Sequence, residues 1–68
     1  MYTFKTELFS DIKEKYKINN IAKVVGLTNG YMSMIFNGKV NCPKTTAYAI
    51  AKTLDSGAEI EDYFNINK

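Results

Sequence analysis

The sequence predicts an all-helical domain of five short helices, and three observations carry that expectation. Apolar residues recur at intervals of three and four along most of the 68-residue chain. The Asn, Gly and Pro residues that interrupt them stand where helices start and stop. No stretch alternates apolar and polar residues in the way a half-buried strand requires. A chain of 68 residues has room for a single domain spanning 1–68. One Cys and no His exclude an internal disulfide and a soft-ligand zinc site, so helix packing has to supply the stability.

The first helix is expected from about Thr6 to Tyr16. Phe4, Leu8, Phe9, Ile12 and Tyr16 fall near every fourth position, with Lys5, Asp11, Glu14 and Lys15 on other faces. Asn19 or Asn20 then caps a second helix that turns Ile21, Ala22, Val24 and Val25 inward and ends at Gly26. Thr28 caps the third, which carries Met32, Ile35 and Phe36 at i, i+3 and i+4 and stops at Asn37-Gly38. Pro43, after the loop Lys39 to Cys42, suits the start of a fourth helix with the stripe Ala47, Ile50, Ala51 and Leu54. Ser56-Gly57-Ala58-Glu59 has the spacing of a capping box ahead of Ile60, Tyr63 and Phe64, which gives the fifth helix. The expected core is Leu8, Ile12, Ile21, Val25, Leu27, Met32, Ile35, Ile50 and Leu54. Cys42 reads as a half-buried loop residue, and Tyr2 and the Asn65 to Lys68 end as frayed.

Charge is unevenly placed. All nine basic residues are Lys. From Ile18 to Leu54 there are four Lys and no acid over 37 residues, whereas Asp55, Glu59, Glu61 and Asp62 make the C-terminal stretch acidic. An acid-free centre approaches a polyanion without local repulsion, and the acids suit capping, solubility or a basic partner. No apolar run reaches the roughly 18 residues needed to cross a bilayer, and MYTFKTELF lacks the features of a signal peptide, so a cytoplasmic protein without a membrane partner is expected. With no His, no Gly-rich phosphate loop and no carboxylate cluster outside the acidic stretch, the chain is not expected to be an enzyme or to hold a metal or cofactor.

The second and third helices carry the functional signal. Gly26-Leu27-Thr28 leaves a three-residue turn, so the two helices cross steeply as a helix-turn-helix over about residues 20–37. Ile21-Ala22, Gly26, Leu27, Ser33, Ile35, Asn37-Gly38-Lys39, Pro43 and Ile50-Ala51-Lys52-Thr53-Leu54, as an ordered set, resemble the Cro and repressor class of phage and bacterial regulators, over about Ile18 to Leu54. The resemblance implies a lambda-repressor-like domain whose third helix enters the major groove. Its base-facing positions correspond to Asn29, Gly30, Ser33 and Met34, with Tyr31 beside them, and Asn37 corresponds to a phosphate contact. Chemically, an Asn amide pairs with adenine, a Ser hydroxyl makes one bond, and Met34 touches only a thymine methyl. Lys23, Lys39 and Lys44 are placed to meet phosphates. The family usually opens its second helix with a Gln that touches phosphate; Ile18 stands there, and Asn19 and Asn20 are the substitutes.

The resemblance leaves two functions. One is an anti-repressor, similar to the modulators of repression of temperate phages of Gram-positive hosts, which turns this face toward the DNA-binding domain of the phage repressor. The absence of Gln and Arg and the apolar Tyr31 and Met34 favour it and place it first, since buried aromatic anchors carry interface energy. The alternative is a Cro-type repressor that binds operator DNA directly, favoured by the acid-free centre and the intact turn. Operator contact alongside the repressor is compatible with both. Either way the output is a change in the lysis–lysogeny transcription switch of a bacterial host cell.

Overall fold

The computed structural model describes residues 1–66. In chain order they form β1 (Tyr2–Phe4), a 3-10 turn (Thr6–Leu8), α1 (Phe9–Lys15), α2 (Ile18–Val25), α3 (Asn29–Phe36), α4 (Lys44–Leu54), a second 3-10 turn (Ile60–Asp62) and β2 (Phe64–Ile66). The domain is therefore mostly helical, with four α-helices and one two-stranded antiparallel sheet, within 30 × 25 × 22 Å. No helix among the described residues is long and apolar enough to cross a membrane.

The helical stripes meet in one core. Ile12, Ile21, Met32, Ile35, Ile50 and Leu54 are buried as their spacing requires, and Ala22, Ala47 and Ala51 let α2 and α4 approach closely. Leu8, Val25 and Leu27, also expected inside, are half-buried against its edge. The rest of the core is aromatic. Phe4 stands edge-on to Phe36 with centroids 4.7 Å apart and to Phe64 at 5.4 Å, and Phe9 stacks on Phe36 at 5.4 Å. Each such ring contributes about 1.5–3 kcal/mol by leaving water, so this cluster joins both chain ends to α3.

That cluster explains the largest departures from the sequence reading. The fifth helix does not form: Glu59 and Asp62, not Ser56 and Glu59, make the capping box, with the Glu59 N–H donating to Asp62 Oδ2 at 2.9 Å. Only one 3-10 turn follows before the chain extends into β2, which pairs Phe64 with Phe4, Asn65 with Thr3 and Ile66 with Tyr2. Tyr2, Asn65 and Ile66 are thus ordered in a sheet and not frayed, while the expectation for Asn67 and Lys68 lies outside the described residues. The first helix, expected from about Thr6 to Tyr16, opens as the 3-10 turn Thr6–Leu8 and is α-helical only from Phe9 to Lys15, while Phe4 belongs to β1 and the Lys5 N–H donates to Tyr63 C=O at 2.8 Å. Cys42 is fully buried, clamped by paired backbone bonds to Tyr2. Lys17 occupies the cap position of α2 without a side-chain bond, so Asn19 and Asn20 lie within the first turn and cap nothing. Val24, expected inside, points out and is 72% exposed, because Ile21 and Ala22 take the buried side of α2.

Candidate functional site

The α2–α3 unit is built by a glycine stop and a threonine start. At Gly26 the chain turns left-handed, φ +88°, and the N–H groups of Gly26 and Leu27 both donate to Ala22 C=O, at 2.8 and 2.9 Å. A Cβ there would meet nothing within 4 Å, so glycine is required by its backbone angle and not by space. Leu27 packs against the core, and Thr28 then caps α3 by accepting the Tyr31 N–H at 3.2 Å.

Burial of Met32, Ile35 and Phe36 fixes the rotation of α3 about its axis. The opposite face is what remains for function: Asn29, Gly30, Met34 and Asn37 are exposed and Ser33 is half-buried. Asn37 terminates the helix, its Nδ2 donating to Ser33 C=O at 2.8 Å and lying 3.3 Å from Ser33 Oγ. Ser33 and Asn37 therefore brace one another at the C-terminal half of the face. Tyr31 is half-buried and packed against the domain's own core, so of the two apolar residues expected to project from this helix, Met34, at 41% exposure, is the one that does so.

Two shallow grooves flank the first turn of α3, and Asn29 lines both. One, about 450 Å³, brings Asn29 together with Asn19, Asn20 and Lys23 of α2. The other, about 540 Å³, sets Asn29 and Ser33 beside Ile18 and Asn19, with Lys13 and Lys17 on the far wall. Asn19, Asn20, Lys23, Asn29 and Ser33 are thus one surface, while Lys39, after the left-handed Gly38, and Lys44, opening α4, are exposed outside these grooves. Lys13 and Lys17 were not picked out from the sequence. Lys13 lies on α1 and Lys17 caps α2, and the folded chain brings both to the groove beside Asn29. The Lys13 ammonium lies 5.1 Å from the Phe9 ring centroid, which holds its stem along α1.

Among the described residues, no three His, Cys, Asp or Glu side chains are placed to share a metal ion. Burial pushes the Cys42 thiol above its ordinary range, which favours the unreactive protonated form. The Tyr63 phenol is also pushed up, by burial first and then by Asp55, Tyr16 and Asp62. Tyr16 donates its hydroxyl to Leu54 C=O at 2.9 Å, tying the ends of α1 and α4 together. No protein-family model, curated protein or solved structure matches the chain at significance.

Proposed function

We propose that the protein is a helix-turn-helix transcription regulator of the Cro and repressor type, and that α3 reads operator DNA in the major groove. The observation that carries this reading is the make-up of the α2–α3 surface. Small polar side chains and a glycine occupy the exposed start of α3, lysines surround it, and no carboxylate occurs from Ile18 to Leu54. The first turn of a reading helix is the part that meets base edges, and the side chains there decide which bases it can bond. Asn29 offers both an amide donor and an acceptor for adenine, Ser33 offers one bond, and Met34 offers a methyl-to-methyl contact with thymine. Lys13, Lys17 and Lys23 flank the grooves beside Asn29 and supply the charge for phosphates, which holds register without reading sequence. Lys39 and Lys44 extend that basic rim.

A second reading is retained because Met34 and Val24 are exposed apolar residues on this unit. In it the same face docks on the DNA-binding domain of a phage repressor, as an anti-repressor. It ranks second because Tyr31, the aromatic anchor it would use, is already engaged with the core of its own domain.

Binding of fluorescent duplexes by the wild-type chain and two variants tests the order. For operator reading, Asn29→Ala loses about 1–3 kcal/mol on the preferred sequence and little on others, whereas Lys39→Ala weakens all duplexes alike. Equal losses on every duplex for both variants contradict base reading by Asn29. No duplex binding, together with repressor binding that Tyr31→Ala weakens by about 2 kcal/mol or more while the variant keeps its melting midpoint, supports the second reading instead.

A further inference from the structure

A groove of about 460 Å³ runs between α1 and the segment that follows α4, and none of its lining residues lies on α3. Leu8, Ile12 and Leu54 supply its apolar surface, and the rings of Tyr16 and Tyr63 stand beside them. Tyr16 is shared with the groove beside Asn29.

Three features give this groove a negative sign. Asp11 and Asp55 both line it and are exposed, against Lys15 as the only cation among the described residues there. The C-terminal ends of α1 and α4 meet at it, where Tyr16 donates its hydroxyl to Leu54 C=O at 2.9 Å, and a helix C-terminus carries partial negative charge. The field also reaches Tyr63: burial pushes its phenol up first, and Asp55, Tyr16 and Asp62 push it further.

A cation on an apolar stem complements such a lining. Of the two cationic side chains, a guanidinium pairs with carboxylates and also stacks on aromatic faces, whereas an ammonium offers a point charge. Asp11, Lys15, Tyr16 and Asp55 are all exposed, so the groove is open to solvent. A small ligand is usually enclosed over most of its surface; an open groove suits a side chain carried by a segment lying across it.

We propose that this groove docks an arginine side chain of a basic protein segment, with its guanidinium paired to Asp11 and Asp55 and its stem along Leu8, Ile12 and Leu54. The chain as a whole is positively charged, +2, so the attraction for a basic partner is local to this side. The inference does not depend on what α3 binds.

Titration of the full chain with the capped peptide Ala-Arg-Ala-Arg-Ala, followed through backbone amide chemical shifts, tests the proposal. Saturable changes are expected at Asp11, Tyr16, Asp55 and Tyr63, with weaker binding of the same peptide carrying Lys for Arg. Asp11→Asn with Asp55→Asn is expected to raise the dissociation constant by about tenfold or more. In Asp55→Asn the amide oxygen can still accept the Gly57 N–H that Asp55 Oδ1 accepts at 3.0 Å, and a matching thermal melt checks the fold. If the double variant melts early, Asp11→Asn alone decides. Glu7→Gln with Glu14→Gln removes the same charge from exposed positions outside the groove and leaves binding within about twofold. Equal losses for the two pairs overturn the proposal, as do changes centred on α3 or no saturation. Ethylguanidinium binding as tightly as the peptide overturns it too, in favour of a small-molecule site.

Discussion

Gly30 is a residue whose presence the fold does not explain. It lies in the first turn of α3, a Cβ there would meet nothing within 4 Å, and no left-handed angle requires it. Glycine inside a helix costs about 1 kcal/mol relative to alanine, so Gly30→Ala is expected to stabilise the free domain by about 0.5–1 kcal/mol in a thermal or urea melt. In the proposed DNA reading the same methyl stands where α3 approaches base edges, so duplex binding is expected to weaken while stability rises. An unchanged affinity would remove Gly30 from the reading surface. Cys42 and Tyr63 give the residue scale a pH dependence with a definite sign. Both are held above their ordinary values of 9.0 and 10.0 in the folded chain, so the unfolded chain ionises first on raising pH. Their contribution is complete below pH 9.0 and is lost as pH climbs through the raised values. Urea midpoints are thus expected to fall on the alkaline side, and Cys42→Ala to flatten the lower part of that fall. A Cys42→Ala midpoint that falls with pH as steeply as wild type would show that the thiol does not take part.

At the scale of elements, the two left-handed glycines that end α2 and α3 differ in what they demand. Gly26 needs only its angle, whereas a Cβ at Gly38, φ +72°, would also come within 2.9 Å of Thr6 Cγ2. Gly26→Ala is expected to cost about 1 kcal/mol, and Gly38→Ala more, in chemical denaturation; the reverse order would mean that the contact with Thr6 is not rigid. Ile35→Ala, at the fully buried centre of α3, is expected to cost about 2–5 kcal/mol, enough to unfold so small a domain. These helices were legible because their stops and starts are local: Gly26, Thr28, Asn37-Gly38 and Pro43 each act through neighbours within four residues. The C-terminal segment was not. Ile60, Tyr63 and Phe64 have helical spacing, and Phe64–Ile66 is too short to show alternation, so β2 exists only because Tyr2–Phe4, at the other end of the chain, offers it a ladder and Phe4 a ring. The candidate site divides the same way. Asn29, Gly30, Ser33 and Met34 were readable from position along α3, but the inward turn of Tyr31 and the arrival of Lys13 and Lys17 depend on tertiary packing.

For the molecule as a whole, charge is separated between an acid-free α2–α4 region and an acidic C-terminal segment. An anionic duplex approaching the basic side is steered into one orientation. Lys39→Ala is expected to lower the dependence of log affinity on log salt by about one, a change of slope that a merely structural lysine would not produce. Sequence reading by α3, as proposed, is tested most directly by selecting duplexes from a random pool with the wild-type chain, then titrating the recovered and a scrambled duplex over a range of salt. The expected result is one enriched motif, affinity that falls with salt on both duplexes, and a preference for the motif that Asn29→Ala abolishes. No enriched motif, with equal and weak binding to both duplexes, would contradict it.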